Sequence, residues 1–123
     1  MILVDTSVWT DHLRQGPPTL AAALEERQVL MHPFVLGELA CGNLKNPREV
    51  LQLLADLPAA PTVTDPEALH FIERHGLMGR GIGYIDVHLL ASVILSGAAQ
   101  LWTRDQRLAA VAEGLAVAFI NTP

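Results

Sequence analysis

The chain has one cysteine, Cys41, and one lysine, Lys45, among its 123 residues. A single cysteine makes no intramolecular disulfide, and no Cys-x-x-Cys pair or cysteine/histidine cluster accompanies it. Disulfide scaffolds and zinc fingers are excluded, and a reducing cytoplasm is the expected compartment. Long apolar runs are missing too. The longest stretch without a charged residue, 87–103, holds His88, Ser92, Ser96, Gly97 and Gln100, which makes it too polar and too short to span a bilayer. No basic region precedes the opening apolar residues and no small-residue cleavage site follows them, so no signal peptide is expected. A basic excess is also absent. Thirteen acids against eight Lys and Arg give a net charge of −5, whereas a generic polyanion binder carries a basic stripe.

No repeat, low-complexity tract or linker divides the sequence, and its length suits one domain, 1–123. A domain of this size buries roughly two-thirds of the surface that its unfolded chain exposes. Half of the residues are hydrophobic. With glycine counted, the apolar share exceeds the roughly 45–50% of ordinary soluble domains. An Ala/Leu-rich helical core explains the excess; so does apolar surface awaiting a partner.

Short β-rich runs alternate with longer helical ones. Strands are expected at 1–4, 29–31, 61–63, 100–103 and 116–120, and a turn at 15–18. Helices are expected through Leu13, then over 19–27, 33–41, from 47 onward, 65–75, 85–96 and 105–112. Asn46-Pro47-Arg48-Glu49 and Thr64-Asp65-Pro66-Glu67 both resemble capping boxes, and Gly76 and Gly97 are placed to stop helices. The alternation predicts an α/β fold: a three-layer sandwich whose central, mainly parallel sheet of four to five short strands is flanked by helices.

In such sheets, ligands gather at the carboxyl ends of the strands. Asp5 directly follows Ile2-Leu3-Val4, and Asp105 lies two residues past Leu101-Trp102-Thr103. Asp86 heads a helix and shares its face with Leu89, Leu90 and Val93, which points the acid inward. Glu38 sits among Leu36, Gly37, Leu39 and Ala40, where a carboxylate needs a partner. Taken singly, Asp86 and Asp105 read first as acids favoured at helix starts, Asp5 as a cap competing with Thr6 and Ser7, and Glu38 as a solvated residue. Together, with one lysine in the whole chain, they read as a cluster that a divalent cation would hold. Hard oxygen ligands suit magnesium or manganese.

Other motifs fail. The glycine-dense stretch 76–83 carries no Lys-Ser/Thr pair and no preceding strand, so it is neither a Walker loop nor a dinucleotide fingerprint. It reads as a flexible loop beside the substrate or as a structural turn. The five histidines show no pair with catalytic spacing, and Trp9 and Trp102 read as core.

Asp5-Thr6-Ser7 after an opening strand, Glu38 in a Glu-Leu-Ala helix, Gly83-Tyr84-Ile85-Asp86 opening a helix and Thr103-Arg104-Asp105 after a strand resemble the PIN domain. They are similar in particular to the VapC-type toxins of bacterial toxin–antitoxin pairs. The resemblance runs in order from Met1 to about Ile120. It implies a magnesium-dependent endoribonuclease, with manganese able to substitute, in which Asp5, Glu38, Asp86 and Asp105 form an acidic quartet supported by Thr103. It also implies a homodimer and a cognate antitoxin that blocks the site. On this reading Asp5 and Asp86 are the inner ligands, while Glu38 and Asp105 act through waters or hold a second ion. Thr6, Ser7 and Thr103 orient carboxylates or waters. Arg80, Arg104 and Arg107 either contact RNA phosphates or serve plain solubility. The competing expectation is a catalytically silent PIN-like binding module whose acids hold a structural ion.

Overall fold

Ile2–Val4, the strand β1, consists of three consecutive apolar residues, all buried. Successive strand residues face opposite sides of a sheet, so burial of all three means that both faces are covered. The computed structural model, which describes residues 1–15 and 18–120, places β1 at the centre of a three-stranded parallel sheet in the order β2-β1-β3. The edge strands are β2 (Val29–Leu30) and β3 (Gln100–Trp102). Ile2 and Leu3 pair with Val29 and Leu30 on one side; Ile2, Leu3 and Val4 pair with Gln100, Leu101 and Trp102 on the other.

Seven helices occupy the connections and the C-terminal region among the described residues: α1 (Thr6–Gln15), α2 (Pro18–Glu25), α3 (Pro33–Ala40), α4 (Pro47–Ala55), α5 (Asp65–His75), α6 (Tyr84–Ser96) and α7 (Gln106–Gly114). α6 is buried without interruption from Val87 to Val93. Every face of that stretch is covered, including the polar His88 and Ser92, whereas the last turn, 94–96, reaches the surface. The α/β class and the flanking helices agree with the sequence pattern; the sheet is smaller than expected.

Among the described residues three strands form, not four to five. The segment expected at 61–63 gives way to a single bridge, Met31 with Ala59, and the segment at 116–120 to a single bridge, Leu101 with Ala118. Pro61 has no N–H to extend the first, and Pro33 turns the chain after β2 into α3. Ala116 has a φ of 62°, a left-handed turn that keeps the second to one contact. The capping boxes also divide. Thr64 and Glu67 exchange both bonds, at 2.9 and 3.3 Å, ahead of α5. Asn46 does not cap α4 through its side chain, because its backbone is left-handed, with a φ of 52°. Of the turn expected at 15–18, Gln15 ends α1 and Pro18 begins α2; residues 16 and 17 lie outside the described residues.

Candidate active site

Parallel register brings the first two site residues together. Val4 lies beside Trp102, and the Asp5 N–H donates to the Trp102 carbonyl at 2.9 Å. The next residue on each strand therefore leaves the sheet at the same rim. There the Thr103 hydroxyl donates to Asp5 Oδ2 at 2.7 Å. The Ser7 hydroxyl donates to the same oxygen at 3.0 Å, and the Thr6 N–H holds Oδ1 at 2.8 Å. Asp5 is buried, and these three donors replace the water that burial removed.

The other acids come from three further elements. Thr6, in the first turn of α1, donates its hydroxyl to Glu38 Oε1 at 2.7 Å, which ties α1 to α3. Glu38 is exposed, not sunk in the apolar company of its sequence neighbours, because its helix turns Val35 and Leu39 to the core instead. Asp86, in the first turn of α6, accepts the Gly83 N–H on Oδ2 at 3.0 Å. Asp105 caps α7: its Oδ1 accepts the N–H groups of Arg107 at 2.9 Å and Leu108 at 3.1 Å. Thr103 Oγ1 accepts the Asp105 N–H at 3.1 Å, and Ser7 Oγ accepts that of Arg104 at the same distance. The helix-start reading of Asp86 and Asp105 is thus correct, and both acids still belong to one electrostatic group.

The Asp86 carboxyl shows that grouping. Burial pushes its pKa up from the ordinary aspartate range, and the charges of Asp5, Asp105 and Glu38 push it further; the Gly83 N–H offsets part of the rise. Neither of the ion pairs among the described residues, Arg104 with Asp11 at 2.6 Å and His88 with Asp65 at 3.4 Å, neutralises any of the four. Glu38, Asp86 and Asp105 each keep one carboxylate oxygen without a hydrogen bond from the described residues. Hard anionic donors left unpaired in this way fit magnesium or manganese by ligand type. As they lie, no three acidic, histidine or cysteine side chains among the described residues converge on one point as a finished ion cage.

The arginines separate. Arg104 is held by Asp11, and Arg107 lies against the glycine loop: a Cβ on Gly81, whose φ is +81°, would come 2.7 Å from Arg107 Cδ. Arg80 is exposed in the same loop. Sequence reasoning missed two further cations. Arg14 and Lys45 line a cavity that also touches Thr6 and Glu38. The available signal was the lone lysine of an acidic chain, seven residues after Glu38.

The PIN domain family model matches residues 2–114, which spans the sheet and all four acids. The chain belongs to the PIN domain family. It is 51% identical over 120 residues to a protein named Ribonuclease VapC32 from Mycobacterium tuberculosis strain H37Rv, covering 96% of this chain and 97% of that protein. The same figures hold for the Ribonuclease VapC32 of strain CDC 1551 / Oshkosh.

Proposed function

We propose that this PIN domain is a magnesium-dependent endoribonuclease, with manganese able to substitute, acting as the toxin of a toxin–antitoxin pair. The observation that carries the proposal is the gathering of Asp5, Glu38, Asp86 and Asp105 from separate elements around the Thr6, Ser7 and Thr103 hydroxyls, with no cationic side chain paired to them among the described residues. The raised Asp86 carboxyl, from burial first and the other acids second, agrees with it. Repulsion of this kind costs stability in the bare protein, and a divalent ion relieves it. The name Ribonuclease VapC32, carried by relatives aligned over nearly their whole length, supports RNA as the substrate and a cognate antitoxin as the partner.

Asp5 and Asp86 would hold the ion, with Glu38 and Asp105 beside it directly or through water. When bound, the ion acidifies a water and polarises a phosphodiester oxygen. Asp5 enters that role already oriented by the Thr6 N–H and the hydroxyls of Ser7 and Thr103. Thr6 fixes Glu38 through one oxygen and leaves the other to accept a proton or a water. Asp105 spends one oxygen on α7 and keeps one for the site. Arg80 and Arg107 border the glycine loop, where a phosphate strand would meet positive charge; Arg104 is the weaker candidate, since Asp11 already holds it.

Homodimerisation and antitoxin binding draw on the exposed apolar residues. Leu69 on α5 is 60% exposed, and Leu95, 58% exposed, lines a cavity of about 420 Å³ between α5 and α6 together with Phe71 and Ile94. No helix among the described residues is long and apolar enough to cross a membrane, and a cytoplasmic site of action fits the single cysteine.

The test is cleavage of RNA by the purified chain. Activity is expected with magnesium or manganese, is abolished by EDTA, and leaves a 5′-phosphate and a 3′-hydroxyl. Cleavage that survives EDTA, or a 2′,3′-cyclic phosphate product, overturns the mechanism. Metal binding with no cleavage of any RNA overturns the enzyme in favour of the binding module.

A further inference from the structure

Seven residues beyond Glu38, the chain places its one lysine in the connection between α3 and α4, and the last turn of α1 places Arg14 opposite. Between them lies a cavity of about 610 Å³, walled by Thr6, Glu38, Asn43 and Leu44 as well as by the two cations. That volume falls in the range of sites that hold small ligands, roughly 300–1,000 Å³. It opens from the carboxylate site itself, because Thr6 and Glu38, joined at 2.7 Å, form part of its wall.

Arg14 and Lys45 are both exposed, and neither belongs to an ion pair among the described residues. In a chain of net charge −5, two unpaired cations beside an acidic site call for an anion from outside. Glu38, though it shares the cavity wall, forms no ion pair with either cation. Leu44 offers an apolar wall for the face of a base, and the Asn43 amide offers both a donor and an acceptor for a base edge. Phosphate contacts position a strand, and base contacts add preference.

We propose that this cavity holds the single-stranded RNA next to the scissile phosphate, with Arg14 and Lys45 each contacting a backbone phosphate. The assignment rests on the ribonuclease reading and names where the substrate strand runs. An acidic protein segment is the competing occupant. RNA is favoured because the two cations flank a base-sized apolar wall that leads to the carboxylate site, an arrangement that suits alternating phosphates and bases.

The experiment measures binding of a fluorescein-labelled single-stranded RNA to the whole chain carrying Asp86→Asn, with and without Arg14→Gln, Lys45→Gln or Lys45→Arg. Each phosphate contact on a single strand contributes about 0.7 to the slope of log affinity against log salt. Arg14→Gln and Lys45→Gln are each expected to flatten that slope by about 0.7, while Lys45→Arg keeps it, and Arg74→Gln on α5 serves as the matched charge control. In the cleaving chain the same glutamine variants should raise KM and leave kcat nearly unchanged. If the unaltered chain cleaves no RNA, the underlying reading falls. If it cleaves RNA, but both glutamine variants keep the slope and KM, the cavity assignment is overturned. It is equally overturned if the variants lose only affinity for a co-expressed protein partner.

Discussion

The Thr103 hydroxyl donates to Asp5 Oδ2 at 2.7 Å across 98 residues of sequence. The same oxygen of Thr103 accepts the N–H of Asp105, so one hydroxyl joins the carboxyl end of β1 to the start of α7. Such groups act by holding a ligand's orientation, and their loss typically costs 10–100-fold in activity or metal affinity.

Thr103→Val keeps the shape of the side chain and removes both bonds. We expect RNA cleavage to fall by roughly 10–100-fold, with the metal concentration needed for half activity rising in step. Thr103→Ser should restore most of it. A metal titration of the three chains checks this, and unchanged activity in Thr103→Val would assign the hydroxyl a purely structural role.

Asp86→Asn should abolish cleavage without harming the fold. The folded pKa of Asp86 is raised, so between the ordinary aspartate value and that raised value the folded chain binds more protons than the unfolded one. Its contribution therefore becomes less favourable as pH rises through that window and remains unfavourable at neutral pH. Thermal unfolding at pH 7 is expected at the same or a higher temperature in Asp86→Asn, and the difference should vanish in acid.

Divalent ions should reverse that order. A ligand that binds only the folded state stabilises it by about 2.7 kcal/mol at a hundredfold excess over its dissociation constant. Magnesium or manganese should raise the melting temperature of the unaltered chain, and EDTA should return it. Asp86→Asn should show little shift. Scanning calorimetry across a metal series reads both.

His32 gives a prediction away from the acids. It is buried, its Nδ1 accepts the Phe34 N–H at 3.0 Å as the cap of α3, and burial together with nearby His88 lowers its pKa to about 4. The unfolded chain takes up this proton near pH 6.5, and the folded chain resists it until about pH 4. Stability from this residue is complete above pH 6.5 and declines as pH falls between those values. His32→Leu should lose about 1 kcal/mol at neutral pH, with the lost cap, and show a shallower acid decline in denaturant titrations.

In cells, expression of the chain should arrest growth, and Asp86→Asn should not. Co-expression of the adjacent reading frame should relieve the arrest. Equal toxicity of both chains would point to aggregation of the exposed leucines rather than to RNA cleavage.

Local signals were legible where chemistry and backbone agree. Ile2-Leu3-Val4 reads as a strand buried on both faces, and Thr64 with Glu67 reads as a box, because each depends on its own neighbours. Asn46 misled because its left-handed backbone, not its side chain, ends the preceding loop. The segments expected as strands at 61–63 and 116–120 misled because pairing there depends on where Pro33, Pro61 and Ala116 interrupt it. Among the four acids, the places of Asp5 and Asp105 after strands and of Asp86 at a helix start were legible. The exposure of Glu38 was not, because it depends on which face of α3 packs. The hydroxyls that serve them were nameable as types, but their connections, Thr6 with Glu38 and Thr103 with Asp5, exist only after folding. The pairing of Arg104 with Asp11 left no trace in either stretch of sequence.

The central strand is the first one made, and one of its two neighbours is the last. At about 5–20 residues per second of synthesis, β3 follows β1 by roughly 5–20 s. Until then Asp5 has neither the Trp102 carbonyl nor the Thr103 hydroxyl, and Asp105 does not yet exist. A nascent chain stalled before β3 should therefore neither cleave RNA nor protect its β1 amides from exchange. On the ribonuclease reading, strand order alone would leave the site unformed through most of translation, until β3 and Asp105 are made.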